Sequence, residues 1–341
     1  MRFSKSLPLL LLVILLAYAC TPSVHIYMRS QVLMGTVVEI TVVAQNEARA
    51  EEAMTAAFKE IRRLEEIMST YIPSSDISRV NAAAGLSPVK VHKDLILVVK
   101  KALEFARLSG GAFNIALGPA IDLWNVTESD DIPSDQELEA IRPLTELRNI
   151  MVDETAETLF LKEMGMRINL GGIGKGFAAD YAYNVLLKHG IRSGIVAIAG
   201  DLRVFGKRPD GSVWNIGIRH PRKKEGVMAQ VRFSDDMADM AISTSGDYER
   251  FFMKNGIRYH HVLSPDTLHP SRGNQSVSVI AKDSTTADAL STAIFAMDPE
   301  KGFKLLESLP EVEGIIMGDD GHIGLSPGLK GHPKVAIEII H

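Results

Sequence analysis

The sequence predicts an α+β fold made of one large domain, residues 20–341. Three observations carry this expectation. Residues 47–71 repeat apolar side chains at helical spacing, and residues 32–43 are rich in β-branched side chains. The segments that follow mix helices and strands without the regular strand–helix–strand beat of a doubly wound sheet.

Taken in order, VLMGTVVEITVV (Val32–Val43) shows partial alternation and reads as a strand. In EARAEEAMTAAFKEIRRLEEIMSTY, Ala50, Met54, Ala57, Phe58, Ile61, Leu64 and Met68 recur three and four residues apart. That pattern is an amphipathic helix with an acidic beginning. IPSSDIS reads as a turn, and KDLILVVKKALEFARLSG as a second helix that stops at Gly110 and Gly111. VTESDDIPSDQE is an acidic, polar loop, an excursion within the domain rather than a linker. Beyond it SGIVAIAG and HVLSP are expected strands, and FAADYAYNVLLKHG a helix closed by Gly190. TTADALSTAIFAM is a helix that begins near Ser284 to Thr286, and KVAIEII is the final strand.

With 341 residues, 46% of them hydrophobic and 23% charged, the chain has ample material for a buried core and the composition of a globular protein. A formal charge of −5 argues against a general nucleic-acid binder. The first twenty residues stand apart. MRFSKS is short and basic, LPLLLLVILLAYA is an apolar run too short to span a bilayer comfortably, and small residues precede Cys20. Cys20 is the only cysteine, so it has no internal disulfide to form. The pattern resembles a bacterial lipoprotein signal, residues 1–19, with cleavage before Cys20 and acylation of it. An ordinary signal peptide or an uncleaved anchor is the alternative. Loss of Arg2 and Lys5 leaves the mature chain at about −7, so lipid tails rather than attraction to anionic lipid would hold it at a membrane.

INLGGIGKGFAAD (Ile168–Asp180) carries Gly171, Gly172, Gly174 and Gly176 around Lys175, ahead of a helix. Glycines can take positive φ and let backbone N–H groups face a ligand, and a helix N-terminus suits phosphate. This is not a Walker A loop, because Gly176 rather than Ser or Thr follows Lys175, nor is it the dinucleotide GxGxxG. Taken alone, a structural strand-to-helix turn is the plainer reading of the loop. Asp288 and Thr292 lie one helical turn apart, and a carboxylate with a hydroxyl suits a hard cation such as Mg2+. An acidic first turn facing the helix dipole with a surface threonine is the plainer reading. His260 and His261 point to opposite faces if they lie in a strand, which offers one candidate proton acceptor.

These segments together resemble one family, the FAD:protein FMN transferases known as ApbE. The resemblance rests on LMGT (Leu33–Thr36), STYIPSSDISRVN (Ser69–Asn81), GGAFNIALGPAIDLW (Gly110–Trp124), NLGGIGKGFAAD, STSGDYERFF, RYHHVLSP and DALSTAIFAM, in that order along nearly the whole mature chain. It implies a T-fold-like α+β domain with the FAD site between its two lobes. It also implies cleavage of FAD at its pyrophosphate, with transfer of the FMN half to a Ser or Thr hydroxyl of a target flavoprotein and release of AMP.

Residue by residue, the resemblance puts Met34, Tyr71, Ala112, Phe113, Asn114, Asn169, Lys175 and one of Val262 or Leu263 at FAD-contacting positions. It puts the Gly172 carbonyl, Asp288 and Thr292 where the family binds Mg2+, and His261 at the general base, with Lys175 helping to stabilise phosphoryl charge. The chain departs from the family pattern at Asn114, Asn169 and Ser264, each replacing a carboxylate, and a weaker Mg2+ dependence or a slower enzyme is expected from that loss. The implied partners are FAD and a flavoprotein subunit of a membrane electron-transfer complex with an exposed Asp-x-x-(Ser/Thr)-Gly-Ala-(Ser/Thr) motif. The implied place is the bacterial cell envelope, facing periplasm or exterior. A flavin-binding lipoprotein without turnover and an FAD pyrophosphatase are the alternative readings.

Overall fold

A computed structural model describes residues 23–234, 239–332 and 335–340. The expected signal peptide, residues 1–19, and Cys20 lie outside the described residues. The chain opens with β1 (His25–Leu33) and β2 (Thr36–Ala44), which pair antiparallel with Leu33 opposite Thr36. Met34 and Gly35 alone make the turn, at φ 53° and 68°, the left-handed pair that a two-residue hairpin loop requires. The single strand expected over Val32–Val43 is therefore a hairpin. Methionine is not a customary residue at such a turn, so its composition gave no warning.

In α1 (Glu47–Met68), capped by Asn46 Oδ1 accepting from the Arg49 N–H, every residue of the expected apolar stripe is buried. IPSSDIS does not remain a turn, because Ser75 caps a short helix, α2 (Asp76–Ala82). Next come β3 (Val89–Lys90) and α3 (Lys93–Leu108), which ends where Gly110 and Gly111 take φ 61° and 93°. After α4 (Gly118–Trp124), α5 (Asp135–Ile141) begins inside the expected acidic loop, its first turn closed by a Ser134–Glu137 capping box. The chain continues through β4 (Ile150–Asp153), β5 (Thr158–Leu161) and α6 (Gly174–Lys188). Strands β6 (Gly194–Ile198), β7 (Asp201–Phe205), β8 (Asn215–Arg219), β9 (Val227–Phe233) and β10 (Met240–Gly246) follow. Then come β11 (Phe251–Lys254), β12 (Ile257–His260) and β13 (Asn274–Ala281). Helices α7 (Ser284–Phe295) and α8 (Pro299–Ser308) precede β14 (Glu313–Gly318), β15 (Ile323–Leu325) and β16 (Val335–Ile339). HVLSP is not a strand: β12 stops at His260, and Leu263 makes only an isolated bridge to Pro270.

Eight strands form one sheet in the order β1-β2-β6-β7-β10-β13-β14-β15, and every neighbouring pair is antiparallel. An antiparallel sheet with helices gathered on it is the α+β arrangement expected from the irregular order of elements. Alternation along the strands divides the core. Val196, Phe205, Ala241, Val277 and Ile316 face α1, α3, α6 and α7, while Val204, Met240, Ile242, Ile280 and Ile315 face the three-stranded sheet β16-β9-β8. Strand β13 is buried along its whole length, covered on both faces. A third cluster around Trp124, Leu138, Leu263 and Leu268 fixes the segment after β12, with Trp124 Nε1–H donating to the Leu268 carbonyl at 2.8 Å. No described helix is long and apolar enough to cross a membrane.

Candidate active site

The glycine loop is built by backbone proximity. Asn169 Oδ1 accepts from the Gly171 N–H at 2.7 Å and folds the chain back, and Gly174 N–H bonds to the Leu170 carbonyl at 2.7 Å. Helix α6 starts at Gly174, three residues before FAADYAY, so Lys175 and Gly176 stand in its first turn. None of the four glycines adopts positive φ, contrary to the conformational role expected of them. Two of them are glycine for room instead. A Cβ on Gly176 would lie 2.1 Å from the Ser284 carbonyl oxygen, and one on Gly172 would lie 2.9 Å from Thr292 Cγ2. The loop and the start of α6 therefore press directly on α7.

That contact brings the expected metal residues together. Gly176 N–H donates to Asp288 Oδ2 at 2.9 Å, Thr292 sits one turn along α7, and the backbone of Gly172 abuts Thr292. Asp180 holds the start of α7 from the other side, accepting from the N–H groups of Ser284 and Thr285, each at 2.9 Å. Lys175 Nζ lies 2.8 Å from Asp201 Oδ2, 3.6 Å from Asp288 Oδ1 and 3.2 Å from the Gly171 carbonyl. Asp201 did not emerge from the sequence. It opens β7 on the helix-facing side, and its only signal was a lone carboxylate between two apolar runs.

Burial sets the electrostatics. Burial works against the charge on Lys175, but Asp201 and Asp288 outweigh it and hold the ammonium well above its usual range. Asp288 is pushed upward, first by burial and then by the like charge of Asp201, against the pull of Lys175 and the Gly176 N–H. Two buried carboxylates thus share one lysine. On the strand beside Asp201, Ser243 is its direct partner and is fully buried with its Oγ unpaired among the described residues.

A hard cation fits this place. Asp288 carboxylate, Thr292 hydroxyl and the Gly172 carbonyl are all oxygen donors, and the excess carboxylate charge and the unsatisfied Ser243 hydroxyl ask for a positive or donating group. Among the described residues no cluster of three or more His, Cys, Asp or Glu is suited to a metal. Binding would therefore lean on the hydroxyl and carbonyl oxygens.

The two histidines divide their work. His260 is buried, with Nε2 bonded to the Ser271 carbonyl at 2.9 Å and Nδ1 accepting from the Val262 N–H, so both ring nitrogens are used in the fold. His261 lies just past β12, with Nδ1 3.3 Å from the Arg250 carbonyl. A carbonyl can only accept, so Nδ1 carries the proton and the lone pair stays on Nε2. Burial, then the charges of Arg250 and His260, push its pKa down to about 3, leaving the imidazole neutral.

Of the expected flavin positions, Met34 and Phe113 lie against the glycine loop. Met34 N–H donates to Glu65 Oε1 at 2.6 Å, and a Cβ on Gly174 would lie 3.9 Å from both Met34 Cε and Met68 Cε. Tyr71, just beyond α1, is 82% exposed, so it covers no core and is free to meet a planar ligand. Ala112 is half-buried in the turn after Gly111, whereas Phe113 is buried, stacked edge-on to Phe105 and set behind Gly172. Val262 and Leu263, the two residues after His261, are buried. Asn114 spends both ends of its amide on backbone, Nδ2–H donating to the Thr145 carbonyl at 3.0 Å and Oδ1 accepting from Ala116 N–H at 2.7 Å. The backbone N–H of Ser264 donates to the His269 carbonyl at 2.8 Å.

Comparison with known proteins gives one consistent family. The ApbE family model matches residues 34–316. A Treponema pallidum protein named FAD:protein FMN transferase is 32% identical over 91% of this chain and 89% of its own length. One of the same name from Vibrio cholerae is 33% identical over 76% of this chain and 79% of its own. Among solved structures, the ApbE protein of Thermotoga maritima superposes with a TM-score of 0.82 at 32% identity, covering 90% of this chain and 98% of that one. The flavin transferase ApbE of Vibrio cholerae superposes with a TM-score of 0.78 at 29% identity, covering 89% and 98%. The chain belongs to the ApbE family.

Proposed function

We propose that the protein is an FAD:protein FMN transferase that moves the FMN moiety of FAD to a Thr or Ser hydroxyl of a target flavoprotein and releases AMP. The observation that carries this reading is the meeting of the glycine loop with Asp288 and Lys175, which gathers one ammonium and the oxygen donors suited to a cation at one place. The acceptor hydroxyl attacks the FMN phosphorus, a new P–O bond forms, and the P–O bond to AMP breaks. His261 Nε2 takes the hydroxyl proton, a contribution of about 10²–10⁴-fold. Lys175, anchored on Asp201, faces the phosphoryl oxygens as charge builds there. Tyr71 and Met34 pack the flat rings of the dinucleotide. Bound on Asp288, Thr292 and the Gly172 carbonyl, Mg2+ would supply Lewis-acid stabilisation of the same oxygens.

The lipoprotein signal supports a place in the cell envelope, with the chain anchored by acylated Cys20 and facing periplasm or exterior. A membrane-associated electron-transfer flavoprotein is the fitting target. The reaction is tested by incubating the protein with FAD, Mg2+ and a target domain bearing the acceptor motif, read by intact mass. Covalent FMN on the target supports the transferase. Free FMN and AMP without modification would make it a pyrophosphatase, and unchanged FAD a flavin carrier.

A further inference from the structure

We infer that the outer face of the β1–β2 hairpin rests on the lipid headgroups of the anchoring membrane. Alternation along β1 turns Tyr27, Arg29 and Leu33 toward the helices, with Arg29 bonded to Glu51 on α1. The other face carries Ile26, Met28 and Val32, which are 41%, 63% and 77% exposed, and Val37, directly opposite Val32, is 58% exposed. Isolated exposed apolar residues are ordinary, but four on one face of a single hairpin make a patch that wants a partner. The small sheet that covers this side of the large one reaches Ile195 and the Val43 end of β2, and leaves Met28, Val32 and Val37 exposed.

The chain itself indicates the occupant, and this step rests on the membrane-anchor reading. Cys20 stands five residues before His25, the first residue of β1. Five residues reach at most roughly 18 Å, so an anchor there keeps the hairpin at the bilayer. Beside the chain entry, Val24 and Val43 share a cleft with Arg49 and Arg192. Among the described residues those guanidinium groups bond only uncharged partners, Gln45 Oε1 and the Leu187 carbonyl, which leaves them able to meet headgroup phosphates. Ser30 and Glu39 interrupt the apolar stripe, which sets the face at headgroup depth rather than in hydrocarbon. Lying flat, the hairpin holds its Met34 tip, and the site behind it, at the level where a membrane-bound target presents its acceptor.

Full-length protein reconstituted in phosphatidylethanolamine–phosphatidylglycerol vesicles that carry a minor fraction of lipid with a nitroxide on its headgroup tests this. Because Cys20 is the only cysteine and is blocked once acylated, Met28→Cys, Val32→Cys and the control Met164→Cys each take one bimane label, and all three sites are exposed. The headgroup nitroxide should quench positions 28 and 32 at least several-fold more than 164. Equal quenching at all three overturns the proposal, as does a blue-shifted, unquenched signal at 28 and 32 that fades on dilution, which would assign the face to a second copy of the chain. The mass of the Cys20 peptide is read on the same sample. An acylated chain with unquenched labels refutes the surface alone, whereas an unmodified chain that fails to float with vesicles refutes the anchor and the surface together.

Discussion

The backbone N–H of Gly176 donates to Asp288 Oδ2 at 2.9 Å, tying the first turn of α6 to the first turns of α7 across 112 residues of sequence. The bond exists because residue 176 has no side chain. Replacing Gly176 with Ala would drive a methyl into the Ser284 carbonyl. Helix propensity alone would favour alanine by about 1 kcal/mol, whereas overpacking costs about 1–3 kcal/mol. We expect a lower melting temperature together with loss of transfer. A melting temperature raised by the substitution would show that the two helices are not in contact there.

Asp201 acts through Lys175. With the 2.8 Å ion pair removed, Asp201→Asn should leave the lysine to Asp288 and weaken FAD binding and turnover. If that is its whole role, Asp201→Asn should add little to a Lys175→Met background, since groups in one network are not additive. A double-mutant cycle on kcat/KM checks this. Full additivity would separate the two residues.

The low pKa of His261 has a pH signature. Its folded value, about 3, lies below the ordinary 6.5, so the unfolded chain takes up the proton first. The group therefore costs no stability above pH 6.5 and progressively lowers it as pH falls from 6.5 toward 3. Ring resonances of His261 should stay flat from pH 8 to 5, and a midpoint near 6.5 would contradict the burial argument. His261→Asn should lower kcat by about 10²–10⁴-fold without unfolding the protein.

The carboxylates absent from this chain are separable. Asn169→Asp keeps the acceptor for the Gly171 N–H and adds charge near the cation site, so it should tighten Mg2+ binding. Asn114→Asp removes the N–H that satisfies the Thr145 carbonyl, and should cost about 1–3 kcal/mol of stability. Thermal melts and calorimetric Mg2+ titrations distinguish the two outcomes.

These residues also show where sequence is legible. The stripe of α1, the stop at Gly110 and Gly111, and the start of α7 follow from local period and capping, and all stand where expected. The Met34–Gly35 turn does not, because methionine at φ 53° is a demand of hairpin twist and not of composition. Gly172 and Gly176 were conspicuous in sequence for a different reason than their actual one, since crowding by α7 is a tertiary fact. Asp201 was invisible because its meaning lies in a lysine on another element. Motif order carried the site where propensity could not.

The claim that the glycine loop and a cation on Asp288 and Thr292 together grip the FAD diphosphate is tested most directly by FAD binding with and without Mg2+, followed by flavin fluorescence. The native protein should bind FAD at least tenfold more tightly when Mg2+ is added, and Asp288→Ala should show no such gain. An Asp288→Ala protein whose affinity for FAD still rises with Mg2+ as in the native chain would contradict it.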